Sequence, residues 1–337
     1  MATTDPTTTD RADGRSRALA LARRVATTPT VGPLLALVLT MAFFSLKSDR
    51  FLQTQNLSLV LQQVMVVGVL AIGQTLVILT AGIDLSCGTV MALGQIVMTK
   101  LAVANGVPAL PAIALGILTC VAFGLLNGGL VTVVRLPAFI VTLGTLNIAF
   151  ALTHIVSDDL TFSGLPSPML FFGRTFEIAG AEVTYGVVLM LLLYAIAWYA
   201  LTQTAWGRHV YAVGDNREAA RLTGIKPERL LLGVYTLAGL TYGIAALLLV
   251  SRTELGDPNA GQTTENLDSI TAVVLGGTSL FGGRGTVIGT LIGATIVGVF
   301  RNGLTLIGVE VIYQYLVTGV LVILAVSVDQ LTHRRAS

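Results

Sequence analysis

Apolar positions along this chain come in long unbroken blocks, with neither the strict alternation of strands nor the single stripe of a surface helix. Measured against the roughly 20 residues that carry a helix across a bilayer, the blocks resolve into about ten segments. They lie near 31–46, 57–79, 86–104, 108–134, 137–157, 183–202, 230–251, 268–283, 285–301 and 311–328, each bounded by charge, Pro, Asn or Gly. The eighth is short and rich in glycine, which suits a re-entrant segment as much as a span. The pattern predicts an all-α polytopic membrane protein of about ten transmembrane helices. Residues 1–30 form a disordered polar tail, 31–328 the membrane domain, and 329–337 a second tail.

Composition narrows the class further. Of 337 residues, 54% are hydrophobic, only 11% are charged and 36 are glycine, and the mean hydropathy is +0.81. Such a chain is not a soluble domain. The net charge of +2 says nothing of nucleic acid, because the basic residues gather at segment ends and not on one face. Their placement gives orientation instead. Arg11, Arg15, Arg17, Arg23 and Arg24 precede the first segment, and Arg208, Arg217, Arg221, Lys226 and Arg229 fill the loop 203–229. Arg334 and Arg335 follow the tenth, so both termini and that loop are expected to be cytoplasmic. The acidic loop 158–182 is then external, where it is a solvated connector or the receiver of an outside partner. The first 30 residues lack the compact layout of a signal peptide.

One cytoplasmic stretch is punctuated as a short helix. Asp215 stands as N-cap with Glu218 three residues on, and Gly224 suits a left-handed stop after Ala219, Ala220 and Leu222. Asp84, in Gly82-Ile83-Asp84-Leu85-Ser86, is a charge between two apolar segments. It reads as N-cap of the third span, as part of a transport path, or as both. Two passages rich in small residues, Arg135 to Leu146 and Val274 to Gly289, suit close helix packing or a broken helix.

Uncharged hydrogen-bonding groups within the segments include Gln62, Gln63, Gln74, Gln95, Asn127, Thr142, Thr145, Asn147 and Gln314. Any one of them can equally bridge two helices. Apart from Asp84 no acid or cation pair is evident inside the segments, which fits a neutral solute. Cys87 and Cys120 read as small buried hydrophobes, with neither disulfide nor metal spacing. His154 and Tyr242 read as local structural residues, and Trp198 and Trp206 as interfacial anchors. Gly88-Thr89-Val90 and Asn127-Gly128 are echoed by Gly285-Thr286-Val287 and Asn302-Gly303, at unequal spacing.

Glu218-Ala219-Ala220 with Gly224, the two small-residue passages and Gly82-Ile83-Asp84-Leu85-Ser86 together resemble the permease subunits of sugar-type importers driven by ATP. These form the ribose, xylose and galactose class of the branched-chain amino acid and ribose permease family. The resemblance covers about residues 55–326, and Cys87 stands where that branch commonly has valine. It implies a permease in a bacterial inner membrane, with a second permease chain, a cytoplasmic ATPase and an extracytoplasmic sugar-binding protein as partners. It implies a coupling contact through Asp215, Glu218, Ala219, Ala220, Leu222 and Gly224, and a pathway drawing on Gln74, Asp84, Ser86, Thr142, Thr145 and Asn147. The chain has no phosphate loop, so ATP and Mg are expected on the partner, with no cofactor or enzymatic activity here. A permease for branched-chain amino acids or nucleosides, an ion-coupled transporter and a membrane-embedded enzyme are the rival readings.

Overall fold

The computed structural model describes residues 30–178, 180–260 and 264–336. All but Thr30 of the expected amino-terminal tail thus lies outside the described residues. At the other end the backbone stays helical to Ala336, so 329–336 extends the last helix.

The chain runs through α1 (Val31–Lys47), α2 (Thr54–Leu79), α3 (Cys87–Val103), α4 (Ala109–Thr132) and α5 (Ala138–Ser157). A 3-10 turn (Ser167–Gly173) and a hairpin of β1 (Thr175–Ile178) and β2 (Ala181–Thr184) lead to α6 (Tyr185–Gln203). There follow α7 (Ala205–Asp215), α8 (Arg217–Leu222), α9 (Pro227–Thr253), α10 (Thr264–Leu275), α11 (Val287–Leu306) and α12 (Val311–Ala336). Six of these, α2, α4, α5, α6, α9 and α11, are long and apolar enough to cross a membrane. Val31–Lys47, Cys87–Val103 and the stretch Val311–Val320 are apolar but shorter. Helices suit this composition because each satisfies its own backbone hydrogen bonds without water.

The hairpin departs from the all-α expectation. Thr175 pairs with Thr184 and Ile178 with Ala181 in antiparallel register. Threonine, valine, phenylalanine and isoleucine at these positions favour extended backbone, and the acidic loop that holds them is too polar for a span.

Helices α2 and α9 form the centre, with 83% and 72% of their most apolar windows buried. Glycine makes that possible where α9 meets α4. A methyl group on Gly124 would lie 2.3 Å from the Tyr235 carbonyl oxygen, and one on Gly239 would lie 2.4 Å from that of Cys120. Backbone therefore touches backbone, which no other residue allows.

Contacts define two ends of the bundle. At one, Asn56 and Asn302 exchange amide hydrogen bonds of 2.9 and 2.8 Å, Lys100 pairs with Asp158, and Phe162 bridges Gly256. At the other, Gly283 N donates to Leu79 O at 3.0 Å, and Gly214 packs on the same carbonyl.

The expected segment 268–283 is not one helix. α10 stops at Leu275, and its 12 residues reach only about 18 Å. From Gly276 to Thr286 an irregular glycine loop, with Gly277, Gly282 and Gly283 at positive φ, carries the chain on to the second end. Part of it packs on protein, with Gly276 against Gly289 of α11 and Gly282 against Ala81, while Gly277, Phe281 and Arg284 are exposed.

Candidate functional site

The break between α2 and α3 gathers the polar groups. α2 ends in a Schellman motif, with Ala81 N donating to Ile78 O and Gly82 N to Val77 O. The left-handed position falls on Ala81, at φ 58°, and not on the glycine beside it. Gly82 is small for another reason: a methyl group there would lie 2.8 Å from the Tyr235 hydroxyl and 3.0 Å from Val77.

Asp84 is 1% exposed, and every partner of its carboxylate is a donor. Oδ1 accepts from the Ser86 amide at 2.8 Å and the Ser86 hydroxyl at 2.6 Å, and Oδ2 accepts from the Tyr242 hydroxyl at 3.1 Å. The N-cap position of α3 is Ser86, two residues later than expected, because Leu85 is still outside the helix. Asp84 thus takes the amide just before the first helical residue, a charge-assisted bond at the positive end of α3.

Four more helices reach the same loop. The Gln74 side-chain amide donates to the Asp84 carbonyl and, at 3.2 Å, to Cys87 Sγ. Asn127 Nδ2 donates to Ser86 Oγ at 3.1 Å, and Thr142 Oγ1 donates to the Ile83 carbonyl at 3.1 Å. From α10, Asn266 Oδ1 accepts from the Gly88 amide and from Cys87 Sγ, the latter at 3.1 Å. Thr145 is buried one turn beyond Thr142, bonded to its carbonyl. Asn147 is not part of this assembly: it lies exposed on the opposite side of α5, its amide bonded to Leu143 O.

Two residues of the network carry no local sequence signal. Tyr242, read as structural, reaches Asp84 across 158 positions, and Asn266 reaches Gly88 across 178. A second buried charge was also unread. Asp268, 2% exposed, pairs with Arg301 at 2.9 Å, tying α10 to α11. Both stand at segment edges in the sequence, where charges look solvated. The echoed asparagines serve different ends, Asn127 on Ser86 and Asn302 on Asn56.

The short helix α8 exists, but its cap is Asn216 and not Asp215. Asn216 is extended, with φ −154°, and its Oδ1 accepts from the Ala219 amide at 2.9 Å. Asp215 is the last residue of α7, which runs one residue farther than the capping pattern allows. Glu218 does not reach back to close a capping box; it pairs with Arg221 at 3.1 Å. Gly224 ends α8 at φ 90°, where Ile225 N bonds Ala220 O and Gly224 N bonds Arg221 O. Leu222 is 83% exposed and Ala219 is exposed, whereas Ala220 is 4% exposed and packs inward.

A bundle of long apolar helices, broken between α2 and α3 and carrying two short helices at one end, has the architecture of a polytopic membrane protein. The chain belongs to the family described as the permease component of branched-chain amino acid transport systems, whose model matches residues 56–326. It is 46% identical to the fructose import permease protein of Rhizobium meliloti, covering 90% of this chain and 85% of that one. It is 40% identical to the ribose import permease protein of Bacillus subtilis, over 89% and 92% of the two chains. To the xylose transport system permease protein of Escherichia coli it is 32% identical, over 89% and 91%. No solved structure gives a significant match.

Proposed function

We propose that this chain is the permease subunit of an ATP-driven importer and forms the pathway for a monosaccharide. The observation that carries the reading is its similarity, over almost its whole length, to permeases named for fructose, ribose and xylose. The polar groups inside the bundle fit it, since amides and hydroxyls match a neutral polyol. A second permease chain completes the pathway, a cytoplasmic ATPase binds ATP and Mg, and an extracytoplasmic binding protein delivers the sugar. The protein sits in a bacterial inner membrane with both termini inside, crossing it about ten times, with α10 and its glycine loop as one crossing.

Coupling runs through α7 and α8. The Gly214 backbone lies on the Leu79 carbonyl, and Gly283 is held between Leu79 and Asp215. A push on exposed Leu222 therefore reaches the end of α2, and with it the loop that holds Asp84. Ala219 and Glu218 face the partner, while Ala220 and the left-handed Gly224 fix the lever to its own chain. Gln74, Ser86, Thr142 and Thr145 set the pathway wall at this level.

The test is ATP hydrolysis in nanodiscs by the chain co-expressed with its candidate ATPase, measured against binding protein loaded with a panel of monosaccharides and branched-chain amino acids. Stimulation by a sugar-loaded binding protein is expected. A chain that recruits no ATPase and moves solute on an ion gradient overturns the proposal.

A further inference from the structure

Between the Asp84 loop and α8 lies a cavity of about 620 Å³, inside the range of small-molecule sites. Its buried wall is Thr80, Gly82 and Tyr235, and its outer wall carries exposed Arg135, Arg217, Glu218 and Arg221 and half-buried Glu228. Three guanidinium groups against two carboxylates leave one positive charge. Arg217 spans 3.4 Å to Glu228, and Arg221 spans 3.1 Å to Glu218, both exposed pairs that a stronger anion can displace. Among the described residues Arg135 has no carboxylate within salt-bridge distance, and it acts on Glu228 only at longer range.

The buried wall adds a different chemistry. Tyr235 is 1% exposed, and its hydroxyl, set against Gly82, has no hydrogen-bond partner among the described residues. A buried hydroxyl without a partner is costly, and a ligand hydroxyl bonded to it would relieve that cost. Thr80 Oγ1 donates to Val77 O at 2.8 Å and keeps its lone pairs to accept. A surplus guanidinium, two displaceable ones and hydroxyls on the inner wall together match an anion that also carries hydroxyls. A neutral sugar leaves Arg135 unused, and a bare phosphate leaves the inner wall unused.

We propose that this cavity binds a phosphorylated monosaccharide from the cytoplasm, its phosphoryl group on Arg135 with Arg217 and Arg221, its hydroxyls toward Tyr235 and Thr80. Bound there, the ligand bridges the loop of Thr80 to Gly82 and the lever helix α8. It thereby holds the two in their present relation. Resting on the importer reading, this makes the site a brake: once imported sugar has been phosphorylated and accumulates, it slows further import.

The experiment titrates the full chain in neutral-lipid nanodiscs with a hexose 6-phosphate, the free hexose and inorganic phosphate. Binding is read by calorimetry, and uptake is read in liposomes holding the complete importer. The hexose phosphate is expected to bind at least tenfold more tightly than either fragment and to slow uptake from inside. Arg135→Gln should weaken binding at least tenfold, and Arg135→Lys should retain most of it; matching thermal unfolding of both variants shows that they fold. Equal binding of inorganic phosphate overturns the proposal in favour of an adventitious ion only. Loss of hexose phosphate binding in discs of phosphatidylglycerol overturns it in favour of a lipid headgroup. Binding with no effect on uptake overturns the brake. The calorimetry needs no ATPase, so a failed importer reading and a failed site give different results.

Discussion

Tyr242 gives the buried carboxylate of Asp84 its partner at Oδ2, and its removal tests how much the loop depends on that bond. Tyr242→Phe is expected to cost about 1.5–3 kcal/mol, the worth of a hydrogen bond to a charged group. Asp84→Ala should cost more, because it strands the Ser86 amide and hydroxyl as well as Tyr242. Thermal unfolding in detergent reads the order, and a neutral Tyr242→Phe would remove that hydroxyl from the network. At this scale the sequence is informative only where neighbours in space are neighbours in the chain. Asp84 and Ser86 meet within one motif, and Gln74 lies one helix end away. Tyr242 and Asn266 answer them from α9 and α10, and nothing local separates either from other polar residues of the same type. Asn147 shows the converse: a polar residue in a span can face outward, and only the azimuth around α5 reveals it.

Helix ends set the character of the elements. Asn216→Ala removes the side-chain acceptor of α8 and is expected to destabilise it by about 1 kcal/mol, whereas Asp215→Ala leaves that cap intact. ATPase stimulation by loaded binding protein separates the two: it should fall for the first and hold for the second. Adjacent Asp215 and Asn216 are both good caps by type, and the choice between them rests on α7 continuing through Asp215, which a seven-residue pattern does not contain. Close packing is tested at Gly239, where a side chain meets the Cys120 carbonyl. Gly239→Val should force α4 and α9 apart and lower the unfolding temperature sharply, while the helices themselves, read by circular dichroism, persist. The long apolar helices were legible because bilayer length and hydropathy specify them without reference to partners. The β1–β2 hairpin and the end of α10 at Leu275 were not, since eight residues of loop and a glycine run leave several backbones open.

For the molecule as a whole, the two natural cysteines are buried, which makes its orientation directly measurable. Wild-type chain in sealed cells is expected to take up no membrane-impermeant maleimide. Asp159→Cys should label from outside, and Leu222→Cys only once the membrane is opened. Labelling of both from the same side would reverse or break the assigned topology. The arrangement of charge along the chain supports the proposed orientation, yet the pairing of Asp268 with Arg301 lay beyond it. Those residues come together because α10 and α11 pack side by side, and charges at segment edges look alike whether they face water or each other.

α10 also bears on how the protein is made. Its 12 residues include Glu265 and Asp268, and an acid near the middle of a membrane helix costs about 2.5–3.5 kcal/mol on insertion. Such a segment gives the translocon little reason to release it sideways into lipid. Its insertion is expected to become favourable once α11 presents Arg301 to Asp268. On the topology proposed above, the stretch from Thr264 to Thr286 is expected to settle only after its downstream neighbour α11 has been delivered, out of the order in which the ribosome supplies them.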